Sequence, residues 1–149
     1  DRQPDVWHQT GQCNYQEAQS AYAVHGIQAR VVPFIDDMAV AYAWADLVIC
    51  RSGALTISEL SAVGIASILI PYPYAVDDHQ THNAQVLVEQ AAAILIPQAD
   101  FSVERIKDEL FRLSQQPEVL LSMAMAARRL AQPHAAMRVA DLCLEVADV

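Results

Sequence analysis

Cysteine, glycine and basic residues are all scarce in this chain, and each scarcity removes a class of protein. The cysteines, Cys13, Cys50 and Cys143, are 3 in 149 residues, widely spaced and without a CxxC pair. That excludes a disulfide scaffold and a zinc-finger spacing, and it reads as reduced thiols of a cytosolic protein. Basic residues number 9 against 18 acidic ones, and within residues 1–100 the only bases are Arg2, Arg30 and Arg51. Binding to nucleic acid needs a basic patch that this distribution does not supply. An anionic ligand must therefore be held by local donors and not by the overall field. No apolar run approaches the roughly 18 residues of a membrane-spanning helix. With 4 glycines, 7 prolines and 54% hydrophobic residues, the composition is that of a globular domain with a real core. The chain opens at Asp1 with no Met and enters a strand-like segment almost at once, as expected of a piece cut from a longer protein.

What is present is an alternation of short apolar runs with helical segments. Strands are predicted at 6–11, 29–35, 47–50, 67–71 and 93–97. Helices are predicted at 14–25, 36–45, 55–63, 79–91, 103–114, 117–131 and 133–147. Gly26 and Gly64 are the expected helix stops, and Asp36 and Asp78 the expected N-caps. In the helix over 117–131, Leu120, Leu121, Met123, Met125 and Leu130 read as core, and Arg128-Arg129 as a solvated face. The alternation is the βαβ signature of a Rossmann-like parallel sheet with helices on both faces, followed by additional C-terminal helices. In such sheets ligands sit beyond the carboxyl ends of the strands. The segments 8–11, 34–37, 50–59 and 71–83 all fall there.

The richest of these is Cys50-Arg51-Ser52-Gly53-Ala54-Leu55-Thr56, followed by Glu59. A strand that turns into a helix through Ser-Gly-Ala leaves free N–H groups at the helix start, which suit a phosphate. The same residues could equally be an ordinary turn that needs glycine for its dihedral angles. Glu59 could accept hydrogen bonds from a ribose diol, or complete a capping box with Thr56. Arg51 could meet a phosphate or pair with Asp46. Phe34 and Ile35 could support a flat base, although by residue type alone they read as core. Gln80 and Asn83, three apart on the helix that Asp78 opens, could read sugar hydroxyls or form a solvated helix start. His79 and His82 with Asp78 make a conceivable metal pair, but a third and fourth ligand are lacking, and no metal or other cofactor is expected.

Together these segments resemble the MurG family, transferases that add N-acetylglucosamine to an undecaprenyl-linked muramoyl-pentapeptide. The resemblance is carried by Trp7-His8-Gln9-Thr10-Gly11, Phe34-Ile35-Asp36-Asp37-Met38, Ala41-Tyr42-Ala43-Trp44-Ala45-Asp46, the Cys50–Thr56 segment with Glu59, and Asp78-His79-Gln80 with Asn83. It implies the donor-binding, C-terminal half of a GT-B glycosyltransferase, with UDP-N-acetylglucosamine as donor. Phe34 would then lie against the uracil, the Ile35 backbone would bond its edge, and Glu59 would hold the ribose. Arg51-Ser52-Gly53, the Ala54-Leu55-Thr56 backbone and His79 would face the diphosphate, and Gln80 and Asn83 the sugar. Residues 1–149 would form one incomplete domain. Its first strand, the Gly-rich loop and the N-terminal acceptor domain, with the general base and the membrane contact, would lie elsewhere. Residues 133–149 would form a helix that is displaced or swapped. The whole enzyme would work at the cytoplasmic face of the bacterial inner membrane, in peptidoglycan synthesis. Other UDP-sugar enzymes of the fold (a glycolipid synthase or a nucleotide-sugar 2-epimerase) and a non-catalytic α/β interaction module are the alternatives.

Overall fold

Runs of aliphatic and β-branched residues become parallel strands here, and prolines lie just beyond the ends of three of the five. The computed structural model describes residues 3–147, so the expectations for 1–149 and 133–149 are not met or refuted at positions 1, 2, 148 and 149, which lie outside the described residues. The chain divides into two compact units, Asp1–Trp44 and Ala45–Val149.

In the first unit, β1 (Val6–Gln9) pairs in parallel with β2 (Ala29–Val32), in the register Val6↔Ala29 to Gln9↔Val32. Helix α1 (Tyr15–Val24) joins them, and the chain leaves it through Gly26 in the left-handed region, φ 64°. The register sets Trp7 beside Arg30, whose guanidinium carbon lies 3.6 Å from the indole centroid. Trp44, the last residue of α2 (Met38–Trp44), meets Trp7 edge-on at 5.8 Å. The expected cap at Asp36 is corrected. Helix α2 begins two residues later, and it is Asp37 Oδ1 that accepts the Val40 N–H, at 3.1 Å. The strand expected over 29–35 ends at Val32, because Pro33 has no N–H for the ladder.

The second unit contains β3 (Leu47–Cys50), β4 (Ala66–Leu69) and β5 (Ala93–Leu95), all parallel in the order β3-β4-β5. The central strand, β4, is buried at every residue. The strands expected over 67–71 and 93–97 end at Leu69 and Leu95; Ile70 and Ile96 each add one more bond to the neighbouring strand before Pro71 and Pro97, which have no N–H to give. Helices α3 (Ala54–Val63) and α4 (His79–Val88) follow β3 and β4, and α5 (Val103–Gln115) and α6 (Pro117–Arg129) follow β5. Ala66, Ile68, Ile96, Leu113 and Met123 form a buried cluster, with Leu47, Ile94, Ile106, Val119 and Leu120 packed around it. Ser102 caps α5 by accepting the Arg105 N–H at 3.1 Å, and Glu109 bridges Arg105 and Arg112 on its surface.

Two expected core residues of α6 are corrected. Leu121 and Met125 are exposed, whereas Met123 and Ala127 are buried and Leu120 and Leu130 half-buried. Positions 120, 123, 127 and 130 follow one helical stripe, and 121 and 125 fall off it. Helix α7 (Ala135–Ala147) buries no residue, and Met137, Val139, Leu142, Leu144 and Val146 are all exposed on it. Among the described residues, no helix is long and apolar enough to cross a membrane.

Helices α3 and α6 meet at Gly64, which has φ 74° and would place a Cβ 2.8 Å from Arg128 Cβ. Gly26 shares the positive φ but has open space around its missing side chain. A left-handed alanine costs about 1–2 kcal/mol, and overpacking a further ~1–3 kcal/mol. Urea unfolding should therefore show Gly26→Ala losing about the first amount and Gly64→Ala both together. Equal losses would mean that the α3–α6 approach is soft.

Candidate functional site

The carboxyl rim of the three-stranded sheet is organised around Ser52. This residue follows β3 and is fully buried. Its hydroxyl donates to the Gln80 carbonyl at 2.8 Å, and its own carbonyl accepts from Asn83 Nδ2 at 3.1 Å. The start of α4 is thereby fastened to the turn that opens α3. Gln80 adds a second tie, its Oε1 accepting the Tyr72 N–H at 2.9 Å. Arg51 adds a third, one guanidinium nitrogen donating to the carbonyls of Ile70 and Pro71 at 3.1 and 3.0 Å. Of the acid partners expected for Arg51, Asp46 or another nearby acid, none among the described residues is paired with it; its side chain bonds the carbonyls beyond β4, and the ring of Tyr72 lies 5.7 Å away.

Helix α3 starts at Ala54 with Gly53 as its N-cap, and the first intrahelical bond runs from the Ile57 N–H to the Gly53 carbonyl at 3.0 Å. Two of the alternatives left by the sequence are thereby closed. Thr56 lies inside the first turn, so Thr56 and Glu59 form no capping box. Gly53 has φ −62°, which any residue adopts, so the turn does not need glycine for its dihedral angles. Packing does not need it either, since a Cβ there would meet only Thr56 Oγ1, at 3.7 Å. A glycine N-cap supplies no side-chain acceptor, and the first N–H groups of the helix keep their donor capacity for something else.

Glu59 is exposed one turn further on. Its charge is felt at the end of β3, because the Cys50 thiol is pushed up to about 12, first by burial and then by the Glu59 carboxylate. Leu55 and His79 are exposed and Thr56 is half-buried. Asp78 occupies the N-cap of α4 as expected, but in the left-handed region and without a side-chain bond to the helix N–H groups. Its Oδ1 accepts the Thr81 hydroxyl at 2.7 Å instead.

In the first unit the rim lies at Gln9–Gly11 and Pro33–Asp37. Thr10 and Gly11 extend the strand pairing by donating to Val32 and Pro33. Beyond the proline, the Ile35 N–H donates to Gln9 Oε1 at 3.0 Å. Phe34 is 66% exposed, so the core reading of this aromatic is corrected: its ring is presented to solvent. Ile35 is half-buried. A cleft of about 660 Å³ in the same unit is lined by Trp7, Tyr22, Arg30 and Trp44, among others, and by none of the expected site residues.

Ser52, Gln80 and Asn83 are thus drawn into one hydrogen-bonded group, with Gly53, Ala54, Leu55 and Thr56 beside Ser52 on the turn, while Arg51 bonds the chain at Ile70 and Pro71. Tyr72 and Gln9 escaped the sequence reading. The signal that could have found them is a proline at each strand end, which leaves the following N–H groups in need of side-chain acceptors. Among the described residues, no group of three His, Cys, Asp or Glu side chains is arranged to hold a metal ion.

The fold is the Rossmann-like α/β fold of glycosyltransferases. The profile of the Glycosyltransferase family 28 C-terminal domain matches residues 2–141, and the chain belongs to that family. Its relatives include an enzyme of Nitrosococcus oceani named UDP-N-acetylglucosamine–N-acetylmuramyl-(pentapeptide) pyrophosphoryl-undecaprenol N-acetylglucosamine transferase, 54% identical over 97% of this chain and 40% of the relative. One of the same name from Pseudomonas putida is 52% identical over 99% of this chain and 41% of the relative. The crystal structure of Acinetobacter baumannii MurG superposes with a TM-score of 0.86 at 41% identity, over 95% of this chain and 41% of that one. The glycosyltransferase VinC, solved with dTDP, shares the fold at 18% identity, with a TM-score of 0.61 over 85% of this chain and 36% of its own. The chain spans about 40% of the length of the curated relatives it matches.

The rim makes Cys50 an unreactive thiol. Iodoacetamide at pH 8 should label exposed Cys13 and Cys143 and spare Cys50 until the chain unfolds, as read by peptide mass spectrometry. The folded state holds the Cys50 proton to about pH 12, above the ordinary 9.0, so this stabilisation is complete below pH 9 and is lost as pH rises towards 12. Asn83→Leu leaves the Ser52 carbonyl without its amide donor and should cost about 1–3 kcal/mol in urea unfolding.

Proposed function

We propose that this chain is the donor-binding part of an inverting glycosyltransferase. The whole enzyme transfers N-acetylglucosamine from UDP-N-acetylglucosamine to an undecaprenyl-pyrophosphoryl muramoyl-pentapeptide, in peptidoglycan synthesis at the cytoplasmic face of the inner membrane. The observation that carries this reading is Gly53. Neither its backbone angles nor its packing asks for a glycine, so the space it leaves open at the start of α3 is kept for a ligand. The donor's diphosphate fills that space, on the N–H groups of Ala54, Leu55 and Thr56 and the positive end of the helix dipole. Arg51 and Ser52 hold the turn that presents them, and His79 faces the same phosphates. Glu59 grips the ribose diol, Phe34 and the Ile35 backbone take the uracil, and Gln80 and Asn83 read the sugar. Because Gln80 Oε1 and Asn83 Nδ2 already serve Tyr72 and Ser52, the opposite ends of their carboxamides meet the sugar hydroxyls.

In this reading the first strand of the donor domain, its Gly-rich loop, the acceptor domain and the general base are supplied by polypeptide outside the 149 residues. The exposed apolar residues of α7 pack against that acceptor domain, which also carries the membrane contact. Catalysis comes from meeting the charge that grows on the departing UDP with fixed backbone donors. The chain alone performs no transfer.

Two measurements test this. A ligand at 100 times its dissociation constant adds about 2.7 kcal/mol of stability, so UDP-N-acetylglucosamine should raise the thermal midpoint more than UDP-glucose does. Equal shifts would overturn the sugar assignment. Gly53→Ala should change stability by no more than about 1 kcal/mol and yet weaken UDP binding about tenfold or more, or about 1.4 kcal/mol. Unchanged binding would overturn the phosphate assignment.

A further inference from the structure

The Ile35 N–H, which the uracil reading assigns to the base, already has a partner. It donates to Gln9 Oε1 at 3.0 Å, on an exposed stretch of the rim. A backbone N–H makes one well-aligned hydrogen bond at a time, so the base and the Gln9 carboxamide cannot both hold it. The two are also chemically alike. A glutamine side chain offers a carbonyl acceptor beside an N–H donor, and the N3–C4 edge of uracil offers the same pair. From this we infer that Gln9 is an affinity-setting residue of the nucleobase site. Its carboxamide stands where the pyrimidine edge binds, and it must swing away for the base to enter. This rests on the reading of Ile35 as the uracil-binding peptide.

The geometry favours exchange over permanent support. Thr10 and Gly11 pair with Val32 and Pro33, so the strand ends are joined without Gln9. Asp37 caps α2 on the other side of the Phe34-Ile35 peptide through the Val40 N–H. Gln9 is therefore free to leave without the rim coming apart, and the cost of its leaving is one solvent-exposed neutral hydrogen bond. The return is that the N–H is kept in place and paired until a ligand arrives.

The experiment is a titration of the isotopically labelled chain with UDP and with inorganic pyrophosphate, followed through its backbone amide resonances by NMR. Gln9→Met keeps the length of the side chain and removes the acceptor. It should tighten UDP binding by roughly two- to tenfold, the equivalent of one exposed hydrogen bond, and leave pyrophosphate binding unchanged. Gln9→Glu, a stronger acceptor for the same N–H, should weaken UDP binding by a similar factor. In the unmodified chain, the Ile35 amide should shift with UDP and not with pyrophosphate. If Gln9→Met weakens UDP binding or leaves it unchanged, the exchange is overturned. Should UDP then still shift residues 52–59, the donor-site reading survives that failure. A titration that shifts neither Ile35 nor residues 52–59 sinks both.

Discussion

A single buried serine side chain carries the arrangement of the second unit's rim. Ser52 gives its proton to the Gln80 carbonyl and takes a proton from the Asn83 amide into its own carbonyl. Both bonds are part-buried and Ser52 itself is fully buried, so leaving either of its groups unpaired costs more than the bond returns. The start of α4 can therefore occupy only one place relative to the turn that opens α3. The turn in turn leaves the first N–H groups of α3 at the carboxyl end of the sheet, with Glu59 one turn behind them. A binding surface built in this way is set by the fold before any ligand arrives.

The two units solve the same problem by the same means. A strand that ends at a proline runs out of ladder donors, and the chain beyond it needs fixing. After Pro33 the Ile35 N–H is taken by the carboxamide of Gln9, and after Pro71 the Tyr72 N–H is taken by the carboxamide of Gln80. A neutral amide suits this task because its carbonyl end accepts from a backbone N–H at no cost in charge. It also adds no further charge to a chain whose net charge is already −9. The one Arg of this segment, Arg51, donates to the carbonyls of Ile70 and Pro71 and so fixes the chain beyond β4.

The order of elements was legible in the sequence because strand and helix periods differ and because Gly26 and Gly64 mark the stops of α1 and α3. The strand over 47–50 and the starts of α4, α5 and α6 fall where the pattern places them. Boundaries failed for local reasons. Asp36 and Asp37 are equally good caps on paper, and only the path of the chain chooses the second. Leu121 and Met125 look like core to a reader who counts apolar residues instead of following the stripe. Phe34 looked buried because aromatics usually are, but its place beyond the end of β2 leaves the ring 66% exposed.

The site itself was legible only as types of residue, not as partners. Nothing in the spacing of Ser52, Gln80 and Asn83 says that they bond one another, since 28 and 31 residues of chain separate the bonded groups. The resemblance supplied ligand roles for all three, and the structure adds that each also serves the backbone. These uses are compatible only if the structural bond takes one end of each carboxamide and the ligand takes the other. For Gln9 no such division is available, because the group it holds, the Ile35 N–H, is the one that the proposed reading gives to the base. On the proposed reading the side chains fall into two kinds: those of the second unit that hold their turn while a ligand is present, and Gln9 of the first, which holds its peptide only until then.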